Sequence, residues 1–427
     1  MHDPLQRRTL AVLVVSQILG TVALGVTPSI GILLAGEVTH SEAWAGLART
    51  SSTLGAALLG IPLGTLAARR GRRVALATGW WTAAAGGALL VAAAQWQLVV
   101  PLFLGLLLTG AGTAAGLQSR FTATDLASPQ TRARSLSLVM WMGAIGSVIG
   151  PNLGVPGELL GAETGLDAYA AAFLLAAVAS LLAGGVILLL LRPDPLHVLA
   201  LRRAEASGEP AADLPVGRRP GTRERFARMI AELRANRRAR TALVALLTSQ
   251  VVMVSLMTMT PVHIAHQGGS LTIVGVTISL HVLGMFGLAP VVGHLVDRLG
   301  HRAVAGIGLV LFALSLGLAV LASGTMGGVI ASLILLGLGW SFLNVAGSAL
   351  FSTVIADRSR ASAQGGADAL SNLCGATAAF LAGPLMALTG FAALGIFAAV
   401  VMIPIVLLVL RPSAWADPGL TAATTTA

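Results

Sequence analysis

Ionisable side chains are rare inside the apolar segments of this sequence, so each of them is a candidate for chemistry. His281 lies ten residues into one such segment, and Arg120 lies close to Gln118 near the end of another. An ionised side chain at the centre of a membrane costs roughly 2.5–3.5 kcal/mol by insertion measurements and usually has a function. Histidine titrates near neutral pH and can carry a proton. His281 is therefore a candidate proton carrier, with hydrogen-bonded packing as the alternative, and Arg120 either serves a site or extends to the membrane interface.

Motifs of hydrolytic, nucleotide-driven and metal chemistry are missing from the sequence. It contains no His-Glu-x-x-His zinc pair, no Gly-x-Ser-x-Gly nucleophile motif and no Gly-Lys phosphate loop. The single cysteine, Cys374, lies in an apolar segment and leaves no disulfide framework or thiolate metal cluster. The sequence therefore predicts a protein that is not an enzyme and has no metal and no cofactor.

Apolar segments long enough to cross a membrane recur along the chain. Hydrophobic residues make up 56% of the sequence and charged residues only 10%, whereas a soluble domain has about 25% charged residues. A helix crosses the ~30 Å hydrocarbon layer in about 20 residues, and lipid offers unpaired backbone groups no partners. The sequence therefore predicts an all-α integral membrane protein with twelve transmembrane helices. These are 9–35, 43–68, 74–94, 98–123, 135–155, 169–191, 241–262, 271–296, 303–322, 329–354, 361–388 and 392–410.

The positive charges predict how these helices are oriented. All 27 Lys and Arg positions are arginine, and all except Arg49 and Arg120 fall near the termini or in alternate gaps between the predicted helices. Short cytoplasmic loops retain Lys and Arg, whereas translocated loops avoid them. Both termini are therefore predicted to be cytoplasmic, with the protein in the inner (plasma) membrane of the cell. The net charge of +10 is attributed to loops that face anionic lipid, and nucleic acid is not an expected partner.

A weak internal repeat divides the chain into two halves. Short motifs recur in the same order with offsets of 227–233 residues, and an even number of predicted helices separates the copies. The halves therefore share one orientation and are related by an axis along the membrane normal. The predicted domains are two six-helix halves at 1–191 and 241–411. The recurring motifs include Ser16-Gln17 with Ser249-Gln250, Gly110-x-Gly112 with Gly337-x-Gly339, Asp125 with Asp357, and Gly150-Pro151 with Gly383-Pro384.

A polar stretch at 192–240 joins the halves, and a tail follows at 412–427. The first part of the stretch, 205–220, is predicted to be a flexible linker. Its second part, 223–238, has apolar residues at helical spacing on a basic background, namely Phe226, Met229, Ile230 and Leu233. This pattern is typical of an amphipathic helix on the inner leaflet, with a solvated linker helix as the alternative. The tail is predicted to be disordered, with Trp415 at the interface.

Two polar loops carry the most specific pattern in the sequence. The first signature loop, 64–73, reads Gly-Thr-Leu-Ala-Ala-Arg-Arg-Gly-Arg-Arg, and the second, 293–302, reads Gly-His-Leu-Val-Asp-Arg-Leu-Gly-His-Arg. Both resemble the G-x-L-a-D-R-x-G-R-R signature of the major facilitator superfamily. Together with the topology and the repeat, this resemblance covers the whole chain and implies the major facilitator fold. The residues that match the signature are Gly64, Arg69, Gly71, Arg72 and Arg73 in the first loop, and Gly293, Asp297, Arg298, Gly300 and Arg302 in the second.

The first signature loop departs from the family pattern. In the family the loop aspartate contacts the N-terminal end of a helix from the opposite half, and this contact holds the outward-open state. A carboxylate near a helix N-terminus is favourable by about 0.3–1 kcal/mol. Asp297 matches this aspartate, but Ala68 stands at its place in the first loop. Asp368 is a candidate replacement that would pair with Arg69 or Arg72, with a solvated carboxylate as the alternative. Asp125 and Asp357 are further candidate charge partners.

Small residues line one face of the fifth and eleventh predicted helices. Residues four apart share a helix face and allow close contact, and a Gly-Pro pair introduces a kink. The residues are Gly146, Gly150, Pro151 and Gly154 in the fifth helix, and Gly383 and Pro384 in the eleventh. The first stripe resembles the fifth-helix motif of drug:proton antiporters, with Val155 in place of its last glycine, and generic helix packing is the alternative.

Longer stretches resemble an actinobacterial branch of drug-efflux-like facilitators. They lie at 110–125, 257–263, 278–285 and 363–368. The superfamily builds its cavity from helices 1, 4, 7 and 10, and Leu106 here replaces an arginine that many drug antiporters use in proton coupling. Candidate residues for the cavity or for coupling are Gln17, Gln118, Arg120, Gln250, Met257, His281, Trp340 and Asn344. Met and aromatic side chains re-pack around varied apolar ligands, and helix packing is the alternative for each of these residues.

These observations predict a secondary active transporter that works by alternating access. Proton-coupled export of small, largely apolar compounds is the expected function, and a metabolite importer or facilitator of the same fold is the alternative. An integral-membrane enzyme or receptor is a remote alternative, because the longest predicted loop has fewer than 50 residues. The expected partners are the lipid bilayer, a small-molecule substrate and protons, and the protein is expected to be a monomer.

Overall fold

The computed structural model describes residues 3–128, 131–207, 230, 233–234, 236–355 and 357–415. A π-helical turn at Thr27–Gly31 and 3-10 turns at Gly150–Leu153 and Pro412–Ala414 accompany the α-helices. The α-helices within these ranges are α1 (Pro4–Gly25), α2 (Ile32–Thr39), α3 (Glu42–Arg70), α4 (Arg72–Trp96), α5 (Val99–Asp125), α6 (Arg132–Ile149), α7 (Gly154–Thr164), α8 (Ala168–Leu190), α9 (Pro195–Ser207), α10 (Arg237–His266), α11 (Leu271–Phe286), α12 (Ala289–Leu321), α13 (Met326–Val354), α14 (Asp357–Thr389) and α15 (Phe391–Leu410).

The described helices account for the twelve predicted membrane crossings. Eleven stretches are long and apolar enough to cross a membrane, and one of them, Leu271–Leu321, has 51 residues. A helix of that length would extend about 77 Å, more than twice the hydrocarbon thickness. Gly300, with a φ of +80°, interrupts this stretch, so it provides the eighth and ninth crossings. The predicted all-α fold with twelve transmembrane helices is confirmed.

The chain divides into two compact units. The first unit comprises Met1–Arg218 together with Gly268–Ser279, and the second comprises Arg219–Gln267 together with Leu280–Ala427. In the first unit α4 packs on α5 and α8, and α1 packs on α6 and α8. In the second unit α12 packs on α13, and α10 packs on α13 and α14.

Trp80 of α4 is the largest fully buried side chain in the first unit. It belongs to a core cluster with Leu13, Leu76 and Ile187, which come from α1, α4 and α8. Its six-membered ring lies directly over Gly20 of α1, where any side chain would overlap the indole. Because Gly20 has no side chain, α1 and α4 can approach closely while the Trp80 indole still fits between them.

Two crossings of the first unit are interrupted next to proline. A π-helical turn containing Pro28 separates α1 from α2, and the 3-10 turn at Gly150–Leu153 separates α6 from α7. Proline lacks the N–H that would continue the helical hydrogen bonds. The fifth crossing was predicted to end at residue 155, but α7 continues it to Thr164, so the loop predicted after it is shorter.

Side chains satisfy the backbone at the second of these interruptions. The Val148 carbonyl accepts hydrogen bonds from Ser279 Oγ at 2.6 Å and from Asn152 Nδ2 at 3.1 Å. Asn152 Nδ2 also donates to Ser279 Oγ at 2.7 Å. A buried carbonyl without a donor would be costly in a membrane, so these contacts stabilise the broken helix.

The segments that flank the second half depart partly from prediction. Helix α9 occupies 195–207, where no helix was predicted, and Arg202 Nη2 donates to Asp3 Oδ2 at 2.7 Å. This hydrogen bond lowers the pKa of the Asp3 carboxyl below its ordinary value. The flexible linker at 205–220 and the amphipathic helix at 223–238 lie largely outside the described residues.

The start of the tail is ordered. Trp415 is buried, and its Nε1 donates to the Leu408 carbonyl at 3.0 Å. Residues 412–415 therefore pack back onto the last helix through the indole, and residues 416–427, to which the rest of the disorder prediction applies, lie outside the described part of the chain.

Candidate functional site

Arg72, the first residue of α4, is buried in an ion pair. Its Nε donates to Asp125 Oδ2 at 2.8 Å and its Nη2 donates to Asp125 Oδ1 at 3.3 Å, with the two side chains only 1% and 12% exposed. Two parallel hydrogen bonds from one guanidinium fix orientation as well as charge. Because Asp125 ends α5, this pair fastens the first signature loop to α5. The carboxylate partner of Arg72 in this structure is thus Asp125, one of the predicted charge partners.

Asp194 holds the same loop through its backbone, and the sequence reasoning missed this residue. Its Oδ2 accepts from the Arg73 N–H at 2.8 Å, and its Oδ1 accepts from the Leu196 N–H at 2.9 Å. One carboxylate therefore caps both α4 and α9. The available signal was the Asp194-Pro195 pair, because Asp is a preferred N-cap and Pro a preferred first helical residue.

Gly71 is required where Asp194 approaches the loop. Its φ is +89°, and a Cβ built on it would lie 2.6 Å from Asp194 Cγ. Gly300 occupies the same place in the second signature loop with a φ of +80°, but no described atom lies within 4 Å of a Cβ there. The two loops therefore share their backbone turn, and only the first is clamped by a carboxylate.

The other second-loop residues are largely exposed. Asp297 and Arg298 are exposed, and Arg302 donates from Nε to the Val409 carbonyl at 2.7 Å. Gly64 and Gly293 each have open space where a Cβ would stand. Arg69 of the first loop is exposed, Arg73 is partly buried, and Asp368 is exposed on α14. Asp357 begins α14, and its side chain lies outside the described part of the structure.

Gln17 of α1 is the most buried of the predicted cavity glutamines. Its side chain, 3% exposed, lies between Gly116 of α5 and Gly143 of α6, where Cβ atoms would stand 3.2 and 3.1 Å from its Nε2. Its Oε1 is buried and has no hydrogen-bond partner among the described residues. Gln118 of α5 is also buried, and its Oε1 likewise has no hydrogen-bond partner among the described residues. Arg120 is half-buried.

Gln250 of α10 lies in an amide–aromatic cluster with Trp340 and Phe286. Trp340 Nε1 donates to Gln250 Oε1 at 3.4 Å, and the Trp340 and Phe286 ring centroids lie 5.7 Å apart at 69°. Edge-to-face aromatic pairs of this kind are favourable beyond their buried area. All three side chains are partly exposed within the second unit, so the cluster presents one amide beside an apolar aromatic surface.

Two more of the predicted cavity residues belong to α10 and α13. Met257 is buried on α10. Asn344 follows Trp340 by one turn on α13 and accepts from Ser348 Oγ at 3.5 Å. Both residues therefore lie on the two helices that also carry Gln250 and Trp340.

His281 is fully buried in helix packing. Its Nδ1 lies 2.8 Å from the Leu333 carbonyl, and because a carbonyl only accepts, Nδ1 carries the proton of this bond. Gly337 of α13 lies against the His281 backbone. The ring therefore joins α11 to α13.

The small-residue stripe of the fifth crossing packs on α1. A Cβ on Gly146 would lie 2.5 Å from the Ile18 carbonyl, and one on Gly150 would lie 2.7 Å from the Gly25 Cα. Gly154 begins α7, directly after the turn that contains Pro151. In the eleventh crossing Gly383 is buried, and Pro384 lies inside an unbroken α14. The first stripe therefore serves close helix contact within its own unit.

Comparison with known sequences identifies the family. The model of the Major Facilitator Superfamily matches residues 10–276 and 241–424. The MFS-type transporter YdeG of Bacillus subtilis is 37% identical over 409 residues, which cover 94% of this chain and 92% of that protein. The riboflavin transporter RfnT of Brucella anthropi is 30% identical over 409 residues, which cover 95% of each protein.

Solved structures of the same fold agree with this assignment. A bacterial homolog of the human lysosomal transporter Spinster superposes with a TM-score of 0.72 at 15% identity, over 98% of this chain and all of the other. The nucleoside transporter NupG superposes with a TM-score of 0.67 at 15% identity, over 95% of this chain and 99% of the other. With its twelve crossings in two six-helix repeats, this multi-pass membrane protein belongs to the Major Facilitator Superfamily.

Proposed function

We propose that this protein moves small, neutral, largely apolar compounds across the membrane by alternating access. The observation that carries the proposal is the amide–aromatic cluster of Gln250, Trp340 and Phe286. Partly exposed aromatic rings bind planar apolar ligands, and one amide fixes the orientation of a bound molecule. The family membership supports transport as the class of function.

The charge distribution along the helices favours neutral substrates. Helices α1, α10 and α13 contain no Asp or Glu. A permanently cationic compound would therefore find no carboxylate on these helices to offset the desolvation of its charge. A neutral aromatic compound requires no such partner and gains from leaving water.

We propose export coupled to protons as the direction of transport. The resemblance of the fifth-helix stripe to that of drug:proton antiporters supports this direction. Uptake of a planar metabolite is the second candidate, and the relative named a riboflavin transporter favours it. An isoalloxazine ring has the flat apolar faces that the amide–aromatic cluster would accommodate.

Vesicle transport tests the function and its direction together. Everted and right-side-out vesicles containing the protein should be given a proton gradient and a panel of neutral planar compounds, with cations as comparison. We expect gradient-dependent accumulation of neutral compounds in everted vesicles, reduced about tenfold by Trp340→Ala and unchanged by Trp96→Ala, which removes an exposed tryptophan from the end of α4. Accumulation in right-side-out vesicles would establish uptake instead, and accumulation of cations alone would refute the proposed substrate class.

A further inference from the structure

We infer that Gln17 selects substrates that present an N–H donor beside a carbonyl, as on the lactam or imide edge of a neutral heterocycle. The inference rests on the proposed transport of neutral compounds and adds the chemical group by which they are recognised. Gln17 Oε1 is a buried acceptor with no hydrogen-bond partner among the described residues. A buried polar atom in that condition is costly unless another molecule supplies the missing donor.

The internal repeat shows what the same position looks like when it is satisfied. Gln17 corresponds to Gln250 with an offset of 233 residues, and Gly143 corresponds to Gly375 with the offset of 232 that relates Asp125 to Asp357. Each glutamine lies against its glycine, with Gln17 Nε2 3.1 Å and Gln250 Nε2 3.2 Å from the Cβ position. The setting is therefore duplicated, but among the described residues a donor, the Trp340 indole, reaches the amide oxygen of Gln250 and not that of Gln17.

Two residues of the second half correspond to smaller residues on α5 in the first half. With the offset of 227 that relates Gly110 to Gly337, Trp340 corresponds to Thr113 and Leu343 corresponds to Gly116. Thr113 is exposed and far shorter than an indole, so the first half has no counterpart of the Trp340 indole at this position. Gly116 faces Gln17 with bare backbone, whereas Leu343 is a fully buried side chain. The first half thus has neither the indole nor a bulky residue at these two positions.

The chemistry of the amide defines the group that it recognises. A glutamine presents one acceptor and one donor on the same edge, and two parallel hydrogen bonds form with a partner that presents the complementary pair, as with an adenine edge. A lactam or imide presents that pair with its N–H and adjacent C=O. An amide cannot offset a buried ionic charge, so the group that binds here is neutral.

Matched ligands that differ only in this N–H test the inference. Theobromine carries an imide N–H that is methylated in caffeine, and lumiflavin carries one that is methylated in 3-methyllumiflavin. The full-length protein in lipid nanodiscs should bind theobromine and lumiflavin about tenfold more tightly than their methylated partners, the ratio expected for one hydrogen bond of about 1.4 kcal/mol. Gln17→Met should abolish the preference while retaining the affinity for the methylated ligands, which also shows that the variant is folded.

Two further variants assign the preference to its residue. Gly116→Ala places a methyl group against Gln17 and should reduce the preference, whereas Gln97→Met, at an exposed glutamine that follows α4, should leave it intact. Equal binding of the N–H and N-methyl ligands by the native protein, or a preference that survives Gln17→Met, overturns the inference. If the native protein transports neutral compounds without such a preference, only the role of Gln17 fails. If it transports no neutral compound, the proposed function fails as well.

Discussion

At the scale of single residues, Arg72, which pairs with Asp125, is the most buried charged side chain in the described part of the first unit. We expect Asp125→Ala to lower the free energy of unfolding by about 3–5 kcal/mol, because it leaves the Arg72 guanidinium buried without a counter-charge. Thermal unfolding in detergent can be followed by alkylation of Cys374, which is partly buried in the folded protein and the only cysteine in the sequence.

Asp297→Asn is the matched control for that variant. Asp297 is exposed in the second signature loop, so its amide variant should change the free energy of unfolding by less than about 0.5 kcal/mol. The gating role predicted for Asp297 concerns conformation and stays a prediction. It requires altered labelling of engineered cysteines from the outside, and an unchanged pattern would count against it.

Variants of His281 distinguish a role in helix packing from a role in proton transport. Since Nδ1 donates to the Leu333 carbonyl and the ring is fully buried, we expect His281→Asn to keep the donor and to retain uphill transport with a normal pH optimum. His281→Leu should lower the free energy of unfolding by about 1–3 kcal/mol. The proton-carrier hypothesis predicts the reverse for transport, namely loss of uphill movement with downhill exchange intact in His281→Asn. Transport assays in vesicles would distinguish the two.

At the scale of helices, the cap on α4 connects a loop signature to local stability. Both Gly71 and Gly300 have positive φ values that L side chains rarely adopt, so Gly→Ala at either should cost about 1–3 kcal/mol. Gly71→Ala should lower the free energy of unfolding by about 0.5–2 kcal/mol more than Gly300→Ala does, because only the substitution at Gly71 displaces the Asp194 cap. Adding Asp194→Ala should abolish the excess. Equal losses in the two glycine variants, measured by thermal unfolding, would refute the clamp.

The contact between α1 and α6 is a second property of whole helices. We expect Gly146→Ala to lower the free energy of unfolding by about 1–3 kcal/mol, because its methyl group would overlap the Ile18 carbonyl and Thr21. Gly185→Ala in α8 is the control, since a Cβ there meets no described atom within 4 Å. That variant should leave the free energy of unfolding unchanged or raise it by up to about 1 kcal/mol, because alanine has a higher helix propensity than glycine. Equal effects in the two variants would show that the stripe does not pack tightly.

These helices also show which features the sequence could predict. Hydropathy located the twelve crossings because it averages over about 20 residues, and that averaging conceals a single π-helical turn. Pro28 and Pro151 accompany helix interruptions, whereas Pro261 and Pro384, at equivalent repeat positions, lie inside unbroken helices. Proline alone therefore does not decide the outcome, and the tertiary contacts of each helix do.

The sequence names candidate site residues but not the residues that they contact. Gln17, Gln250 and Trp340 were named as candidates from residue type and position along their helices, whereas Phe286 was not. The contacts of Asp194 with Arg73 and of Trp340 with Gln250 join residues 121 and 90 positions apart, so no local pattern encodes them. The vacant acceptor of Gln17 likewise depends on what surrounds it in three dimensions.

At the scale of the whole molecule, the arginine distribution predicts one orientation in the membrane. Alkaline phosphatase fused after Gly165, Gly268 or Gly324 should be active, and fusions after Gly71 or Arg302 should be inactive, because Arg-rich loops stay in the cytoplasm. A fluorescent protein at the C-terminus should fluoresce, as expected for a cytoplasmic end. The opposite pattern at any two successive loops would contradict the twelve-helix orientation.

The contacts of α9 depend on how many times the first half crosses the membrane. Asp194 reaches back to Arg73, and Arg202 reaches back to Asp3 at the very start of the chain. These contacts require α9 to emerge on the same face as the N-terminus, which happens only after an even number of crossings. A nascent chain that skipped one crossing would deliver α9 to the wrong face, where neither bond can form. All four residues of these two contacts precede the seventh helix in the chain. Both contacts can therefore form before that helix is synthesised, and only if the number of crossings made by then is even.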